Sequence, residues 1–253
     1  MKENIYDQPE FFAAYSQMDR SRRGLEAAGE WETLAAMLPD CAGLDVLDLG
    51  CGYGWHCRYA AEHGARSVLG TDLSARMLAE ARRRTNPSAI TYRRAAMEDL
   101  ECPDAAFDLV FSSLALHYVA DYEALVRKIR RWLRPGGSFV FSAEHPVFTA
   151  QGPQDWEYDA QGRIRHFPVD RYFEEGRRTA RFLGCGVTKY HRTLTTYLGA
   201  LLENGFALRA VAEPTPPQRL LDTVPGMADE LRRPMMLLVR AEAAGKTAAG
   251  ACG

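Results

Sequence analysis

Alternating glycines near residue 50 and an acidic residue at position 72 are the strongest chemical signal in this chain. Residues 46 to 54 read Val-Leu-Asp-Leu-Gly-Cys-Gly-Tyr-Gly, and a second apolar run, Ser-Val-Leu-Gly-Thr-Asp, ends at Asp72. A short strand that enters a glycine turn, with an acidic strand end about 20 residues later, is typical of a nucleoside-binding βαβ unit. Glycines let the backbone turn tightly and come close to a ligand. The Asp72 carboxylate could then accept hydrogen bonds from two ribose hydroxyls.

The position of the third glycine narrows the choice of nucleoside. The dinucleotide fingerprint Gly-x-Gly-x-x-Gly would place a glycine at position 55, where this chain has Trp55, and the third glycine is Gly54. No Lys-Ser/Thr pair follows the turn, which excludes a P-loop. The form Gly-x-Gly-x-Gly resembles motif I of the class I S-adenosylmethionine-dependent methyltransferases.

Two later segments carry the same resemblance. Residues 107 to 119, Phe-Asp-Leu-Val-Phe-Ser-Ser-Leu-Ala-Leu-His-Tyr-Val, resemble the family's fourth strand and the helix start beyond it. Residues 133 to 142, Leu-Arg-Pro-Gly-Gly-Ser-Phe-Val-Phe-Ser, resemble its Leu-Lys-Pro-Gly-Gly turn and fifth strand. The resemblance is dense over residues 40 to 145 and loose beyond them. It implies an α/β, Rossmann-like fold with a seven-stranded, mostly parallel sheet. It also implies S-adenosyl-L-methionine as cofactor and S-adenosyl-L-homocysteine as product.

The elements that must position these motifs alternate along the chain. Strands are predicted at 45–49, 67–71, 90–94, 107–112 and 137–143, with helices at 54–63, 75–84 and 121–133. This alternation predicts a parallel sheet with helices on both faces. A helix at 193–204, a strand at 206–213, a helix at 218–232 and a strand at 234–241 follow. The resemblance implies that the last strand is antiparallel.

We expect a single methyltransferase domain over residues 1–242, with two segments that cover the sheet edge. Residues 9–38 show a helical apolar stripe, and the resemblance makes residues 1–40 an N-terminal helical lid over the cofactor. Residues 146–192 are rich in Gly, Pro, charge and aromatics and show little periodicity, which in a compact domain favours a lid or acceptor-binding insertion. The small, Gly-rich tail 243–253 is predicted to be disordered.

The resemblance assigns roles to residues of the cofactor site. The three motif glycines would line the turn under the methionine part, and Asp48 could accept a hydrogen bond from the ammonium or only brace the turn. Arg23, or its neighbour Arg20 or Arg22, could hold the methionine carboxylate. The predicted cofactor-binding residues are Tyr15, Arg23, Asp48, Gly50, Gly52, Gly54, Asp72, Leu73, Met77, Met97, Glu98, Ser112 and Ser113.

The adenine end departs from the family pattern. Leu73 and Met77 could sandwich the ring, although Met77 could equally be core. Residues 95 to 100, Ala-Ala-Met-Glu-Asp-Leu, align with a segment that is often Gly-Asp-Ala-Glu-Asp-Leu, so Ala96 replaces the usual acidic residue. The adenine amine would then be held by Glu98, and a ring nitrogen by the Met97 backbone N–H.

Methyl transfer from a sulfonium mainly needs alignment and exclusion of water, with at most a nearby base. The family has no fixed catalytic triad, so the candidates come from position at the ends of strands four and five and of the insertion: His117, Glu144, His145 and His191. For each histidine, a structural hydrogen-bonding role is the alternative. Trp156, Tyr172 and Tyr190 are candidate substrate-binding residues. The insertion aromatics could instead simply pack on the sheet.

Bulk properties limit the partners. A net charge of -2 and a pI near 6.3 argue against nucleic acid as the main partner. No run of about 18 apolar residues could span a membrane, and the N-terminus lacks a signal-peptide core, so a cytoplasmic location is expected. The six cysteines show neither Cys-x-x-Cys nor zinc spacing, so we expect reduced thiols and no metal. We expect a monomer or homodimer.

The acceptor class follows by exclusion. An Asn/Asp-Pro-Pro-Tyr motif after strand four marks the enzymes that methylate base or amide nitrogens in nucleic acids and proteins. This chain has Ser-Ser-Leu-Ala at that place, which argues against such macromolecular acceptors. A small, planar or heteroaromatic acceptor, methylated on N or O, is the remaining expectation. The alternatives are a non-catalytic S-adenosylmethionine-binding protein and an NAD(P)-dependent oxidoreductase, the latter disfavoured by Trp55.

Overall fold

One seven-stranded sheet organises the chain in the computed structural model, which describes residues 4–85 and 88–245. The strands of the chain are β1 (Asp45–Leu49), β2 (Ser67–Asp72), β3 (Ile90–Arg94), β4 (Phe107–Ser113), β5 (Leu133–Glu144), β6 (Glu157–Tyr158), β7 (Ile164–His166), β8 (Gly176–Phe182), β9 (Cys185–His191), β10 (Phe206–Ala212) and β11 (Met236–Ala243). The sheet order is β10-β11-β5-β4-β1-β2-β3. Pairings among β1 to β5 are parallel, whereas β11 runs antiparallel to both β5 and β10. The expected fold class is therefore confirmed.

Nine α-helices lie in the part of the chain that the structure describes. They are α1 (Pro9–Ser16), α2 (Asp19–Arg23), α3 (Trp31–Met37), α4 (Trp55–Glu62), α5 (Ala75–Arg84), α6 (Tyr122–Trp132), α7 (Pro146–Thr149), α8 (Leu194–Glu203) and α9 (Gln218–Thr223). The predicted helix 218–232 is interrupted, because α9 ends at Thr223 and a separate 3₁₀ turn spans Met227–Arg232. The stripe over 9–38 becomes three short helices rather than one.

Local sequence explains why these elements form. In β1, Val46, Leu47 and Leu49 are all buried, as expected for a parallel strand covered on both faces. Helix α6 begins where the Asp121 side chain accepts the Ala124 N–H at 2.8 Å, a typical N-cap. Its buried residues recur at helical spacing and give one apolar face: Tyr122, Leu125, Val126, Ile129 and Trp132.

Three apolar clusters hold the layers together. In the largest cluster, helices α6 and α8 pack against one face of the sheet. In the second cluster, α3, α4 and α5 pack against the other face. A third, smaller cluster joins Ile5 and Phe11 of the N-terminal segment to Val187 of β9. The N-terminal segment and the insertion thus share a core of their own.

The insertion is more regular than the sequence indicated. Residues Gly176–Phe182 and Cys185–His191 form an antiparallel hairpin with seven residue pairs, and a smaller hairpin joins β6 to β7. The expectation of little periodicity was therefore wrong for 176–191. Alternate residues of β9 are buried, but one of them is Lys189, and a buried lysine hides the apolar alternation.

The last strand of the sheet reaches into the C-terminal segment predicted to be disordered. Ala243 is the last residue of β11 and is buried, so the prediction of disorder is wrong for this residue. Residues 246–253 of that tail lie outside the described residues. Across residues 4–85 and 88–245, no helix is long and apolar enough to cross a membrane.

Candidate functional site

A cavity of about 900 Å³ lies over the carboxyl ends of the central strands. Ligands of open α/β sheets bind at this edge. Its inner part is lined by the glycine turn after β1 and by the end of β2, and its outer part by the β8–β9 hairpin. Residues of the N-terminal segment, including Tyr6, Tyr15 and Met18, also line it.

Backbone hydrogen bonds fix the glycine turn against the end of β2. The N–H groups of Gly50 and Cys51 donate to the Thr71 carbonyl at 2.8 and 2.9 Å. The N–H of Gly52 donates to the Asp72 carboxylate at 3.0 Å. Gly52 has φ +51° and no atom within 4 Å of where a Cβ would stand, so the turn leaves open space on the cavity side.

Gly54 serves packing rather than the cavity. It has φ +70° and begins α4, and a Cβ there would come within 2.1 Å of the Tyr92 hydroxyl on β3. Unlike Gly50 and Gly52, Gly54 does not line the cavity. Its placement therefore differs from the predicted position under the ligand.

Asp72 is half-buried at the cavity wall, and backbone N–H groups partly compensate its charge. Its second carboxylate oxygen accepts the Ser74 N–H at 2.8 Å. Burial raises the pKa of Asp72 to about 6, against the opposing effect of these backbone donors, so the group is ionised at neutral pH. A carboxylate in this position can accept hydrogen bonds from hydroxyls of a ligand in the cavity.

Asp48 points to the other side of the turn. It does not line the main cavity but borders a small void with His56 and Phe111 beneath it. One carboxylate oxygen accepts the Cys57 thiol at 3.1 Å, and the other has no hydrogen-bond partner. Burial raises the pKa of Asp48 to about 7. This placement favours a role behind the turn over direct contact with a ligand.

The predicted adenine residues are together in the structure. Leu73, Met77, Met97 and Glu98 all line the cavity. Ala96, which stands where the family pattern has an acidic residue, lines it as well.

The two serines at the end of β4 lie in different surroundings. Ser113 lines the cavity, whereas Ser112 is fully buried and donates its hydroxyl to the Leu49 carbonyl at 2.9 Å. Ser112 therefore joins two neighbouring strands, and its side chain does not face a ligand.

Of the three arginines considered for the methionine carboxylate, Arg20 lines the cavity, whereas Arg22 and Arg23 do not. Arg20 forms an ion pair with Glu30, whose side chain is only 2% exposed. Beside it, Trp55 lines the cavity, and its indole N–H is buried without a hydrogen-bond partner.

His117 is the one predicted histidine that lines the cavity. Its Nδ1 accepts the Glu144 backbone N–H at 3.4 Å, so the neutral ring carries its proton on Nε2. Burial lowers the pKa of His117 to about 4, which keeps the ring neutral. The ring thus offers a hydrogen-bond donor rather than a basic nitrogen.

His145 and His191 lie away from the cavity, which contradicts the placement expected for a base. His145 caps α7 by accepting the Val147 N–H at 3.0 Å, and its Nε2 is 2.7 Å from Glu213. His191 is fully buried, with Nδ1 2.8 Å from the Thr149 hydroxyl and Nε2 2.8 Å from a backbone carbonyl. These contacts favour the structural alternative for both rings.

Glu144 lines the cavity but is already paired. One of its oxygens accepts the Lys189 ammonium at 2.5 Å, and the other accepts the Gln154 amide at 2.7 Å. The pKa of Glu144 stays below its usual value despite burial, because the Lys189 ammonium and the Gln154 amide favour the charged form. A carboxylate of low basicity is a poor proton acceptor.

The insertion aromatics mostly pack within the insertion. Trp156 contacts Phe167 edge-on at 5.3 Å, and the Tyr172 hydroxyl accepts the Leu194 N–H at 3.2 Å. Neither Trp156 nor Tyr172 lines the cavity, whereas Tyr190 does. The packing interpretation therefore describes the first two, and Tyr190 alone keeps the predicted placement.

Comparisons with known proteins agree with this geometry. A family model described as "Methyltransferase domain" matches residues 47–141. The structure of an S-adenosylmethionine-dependent methyltransferase from Mesorhizobium loti is 51% identical, covers 87% of this chain and 100% of that one, and superposes with a TM-score of 0.80. A Listeria monocytogenes protein assigned to the same enzymes is 55% identical over 87% of this chain and 99% of its own, with a TM-score of 0.83.

This chain belongs to the class I S-adenosylmethionine-dependent methyltransferases. A relative in Haemophilus influenzae, described as an uncharacterized protein, is 30% identical over 251 residues, which are 95% of this chain and 97% of that one. S-adenosyl-L-methionine is the cofactor of this methyltransferase, and it supplies a methyl group already activated on a sulfonium. The open space at Gly52 and the Asp72 carboxylate at the cavity wall both fit a bound nucleoside.

Several residues of the methyltransferase cavity escaped sequence reasoning. Among them are Tyr6, Trp55, Arg177, Arg181 and Lys189. Trp55 directly follows the glycine motif, and this position could have indicated that its side chain lines the cavity. The others come from the N-terminal segment and the β8–β9 hairpin, whose approach to the sheet edge depends on contacts between distant parts of the chain.

Proposed function

We propose that this methyltransferase transfers a methyl group to N or O of a small, planar molecule bound in the outer part of the cavity. The observation that carries the proposal is the continuity of one cavity of about 900 Å³ from the glycine turn to the β8–β9 hairpin. This volume is near the upper end of the roughly 300–1,000 Å³ typical of small-molecule sites, which supports room for cofactor and acceptor together. Aromatic side chains line the outer part: Tyr118, Phe148, Phe182 and Tyr190.

In this proposal the inner part of the cavity holds the cofactor. Asp72 accepts the ribose hydroxyls, Leu73 and Met77 flank the adenine, and Met97 and Glu98 bound its edge. Tyr15, Arg20 and the main chain at Ser113 enclose the methionine end, and Arg20 takes the role first considered for Arg23. The contacts given above for Asp72, the turn and Arg20 support these roles.

The reaction then rests on alignment rather than on a side-chain base. Of the described residues that line the cavity, His117 presents a donor N–H, and Glu144 is bonded to Lys189 and Gln154. The acceptor's own lone pair would attack the methyl carbon as the bond from that carbon to sulfur breaks, which leaves S-adenosylhomocysteine, and a proton on the methylated nitrogen or oxygen would be lost to solvent when the product is released. The cavity walls hold the line of attack and keep out water during the transfer. His117 Nε2–H can orient an acceptor oxygen or nitrogen without taking its proton.

Two segments distant in sequence would form the lid. The N-terminal segment and the β8–β9 hairpin both line the cavity and meet in the cluster around Phe11 and Val187. Their closure over the sheet edge would exclude water, which an aligned displacement requires.

The test combines binding and turnover on matched glycine variants. The wild-type chain should bind S-adenosylhomocysteine and not NADH by calorimetry, and should transfer label from S-adenosylmethionine to components of a metabolite extract. Gly52→Ala should weaken S-adenosylhomocysteine binding roughly tenfold or more, because the new Cβ occupies ligand space and left-handed φ disfavours it. Gly43→Ala is the control, since Gly43 also has positive φ (+75°) and open surroundings but does not line the cavity.

Each outcome has a clear meaning. Loss of binding in both glycine variants would show that strain alone is responsible and would contradict the assigned site. Binding of S-adenosylhomocysteine without label transfer to any extract component would favour the non-catalytic alternative. Binding of NADH in its place would contradict the proposal altogether.

A further inference from the structure

Charge is distributed unevenly along the cavity of this methyltransferase. The inner part carries Asp72 and Glu98 with the ion-paired Arg20, whereas the outer part carries Arg177, Arg181 and Lys189. Of the described carboxylates, only Glu144 lines the outer part, and it pairs with Lys189 at 2.5 Å. Because His117 is neutral, two positive charges remain at the outer end.

Both remaining charges belong to exposed arginines of the same strand. Arg177 and Arg181 are in β8, four residues apart, so they share one face of the hairpin with Tyr190, the cross-strand partner of Arg177. Lys189 lies on the other face, where it pairs with Glu144. Arg177 donates to the Thr188 hydroxyl at 3.2 Å, which orients it across the hairpin. No carboxylate of residues 4–85 and 88–245 forms an ion pair with either side chain.

The acids and bases next to the hairpin are engaged elsewhere. Glu174 pairs with Arg171, and Glu175 accepts the hydroxyls of Thr193 and Thr196. Arg178, between the two lining arginines, donates to backbone carbonyls on the opposite face, including that of Ala150 at 3.0 Å. The cationic outer end is therefore not cancelled by its neighbours.

We propose that the acceptor carries an anionic group, a carboxylate or a phosphate, which Arg177 and Arg181 bind at the outer end of the cavity. The inference rests on the proposed function and narrows its acceptor class. Guanidinium groups match carboxylate and phosphate oxygens with paired N–H donors, and a cleft lined by one sign of charge concentrates ligands of the other sign. The aromatic walls hold the flat body between this anchor and the methyl group. A cationic amine is disfavoured at the same place.

The binding test uses probes of one shape and three charges. The full chain, saturated with S-adenosylhomocysteine, is titrated with 4-phenylbutanoate, 4-phenylbutanamide and 4-phenylbutylamine, and 3-phenylpropyl phosphate distinguishes phosphate from carboxylate. At least one anion should bind roughly tenfold more tightly than the amide, and the amine should bind least. The preference should weaken as salt is raised, because the arginines are exposed.

Variants connect the preference to the two arginines. Arg177→Gln with Arg181→Gln should lower anion affinity roughly tenfold and leave the affinities for the amide and S-adenosylhomocysteine unchanged, while the double lysine variant should keep part of the preference. Arg165→Gln is the matched control, because Arg165 is an exposed arginine of the insertion that does not line the cavity. Equal binding of amine and anion, no binding of any probe, or an unchanged anion affinity in the double glutamine variant would overturn the inference.

A turnover arm separates this inference from the proposed function. Metabolite extract is divided by ion exchange into anionic, neutral and cationic fractions, and each is offered with labelled S-adenosylmethionine. Transfer of label to a compound in the anionic fraction supports the inference. The apparent KM for that fraction should then rise roughly tenfold in the double glutamine variant. Label only in the neutral or cationic fractions would refute it and leave the proposed function intact. Label in no fraction would remove the proposed function itself.

Discussion

At the scale of single residues, Asp72 shows how burial and backbone donors together prepare a carboxylate for binding. Its oxygens accept the N–H groups of Gly52 and Ser74, and its pKa is raised to about 6 by burial. Hydroxyl donors of a ribose favour the ionised form, so protonation competes with binding. Affinity for S-adenosylhomocysteine should therefore be constant above about pH 7 and should fall as the pH drops through about 6.

Asp72→Asn tests this assignment. The variant should lose about 1.5–3 kcal/mol of binding free energy at neutral pH, as for hydrogen bonds to charged groups, and its affinity should no longer fall below pH 6. Calorimetric titrations with S-adenosylhomocysteine at several pH values measure both effects. Asp48→Asn is the control, because Asp48 has a pKa near 7 but does not line the cavity. If the Asp48 variant alone removes the pH dependence, the assignment to Asp72 is wrong.

His191 illustrates a residue whose chemistry suggested catalysis and whose surroundings indicate structure. Its ring links the Thr149 hydroxyl to the Tyr172 carbonyl, both at 2.8 Å, in a fully buried position. His191→Ala should lower the free energy of unfolding by about 2–4 kcal/mol, since it leaves a void at a fully buried position and removes both hydrogen bonds of the ring. Denaturant unfolding measures the loss, and His166→Ala, at an exposed histidine of the insertion, should change little.

The same variant separates stability from catalysis. Turnover per folded molecule should keep the wild-type dependence on pH in His191→Ala, because the ring does not face the cavity. A pH profile displaced along the pH axis in folded protein would restore the base assignment.

At the scale of elements, a side chain from the N-terminal segment completes the start of α5. Asp7 accepts the Ser74 hydroxyl at 2.5 Å and the backbone N–H groups of Ala75 and Arg76 at 3.3 and 3.1 Å. Helix N-termini favour such anionic acceptors. This clamp holds the segment directly over the end of β2, where Asp72 lies.

Asp7→Ala should loosen the segment without unfolding the sheet. Faster hydrogen exchange is expected over residues 5–16, together with faster release of S-adenosylhomocysteine, because part of the cavity wall is then held less firmly. Asp19→Ala is the control, since Asp19 is an exposed acid of the same segment outside the cavity. Equal exchange and release rates in wild type and Asp7→Ala would show that the clamp has no such role.

Elements differ in how far the sequence predicts them, and Asp7 shows why. Strand β1 appears at the predicted residues 45–49, because an apolar run and a glycine turn specify it locally. The N-cap of α5 is Ser74, a local residue, but the further acceptor at this helix start, the Asp7 carboxylate, comes from 68 positions before Ala75, and no local pattern indicates it. Likewise, Lys189 interrupts the apolar alternation of β9. Its burial is explained by its ion pair with Glu144, which lies 45 residues earlier in the sequence.

At the scale of the whole molecule, the proposed cover of the cavity combines two distant parts of the chain, the N-terminal segment and the β8–β9 hairpin. Phe11 of α1 and Phe182 of β8 meet edge-on at 5.8 Å, in the cluster that also holds Ile5 and Val187. Tyr6 adds a hydroxyl contact of 2.9 Å to Tyr118 beside the cavity. The sheet's own clusters involve other residues, so the cover can loosen while the sheet stays folded.

Phe11→Ala tests whether this cover behaves as a unit. Phe11 is 1% exposed, so its truncation leaves a void in a small cluster and weakens contacts on both sides. Hydrogen exchange should therefore rise over residues 5–16 and also over 176–191, with the central strands unchanged. Phe173→Ala, at an insertion phenylalanine that is 89% exposed, should leave both segments as in wild type. Saturating S-adenosylhomocysteine should slow exchange in both segments of the wild-type chain. Exchange that rises only around residue 11 would mean that the two segments move independently, and the cover would then be two separate flaps over one cavity.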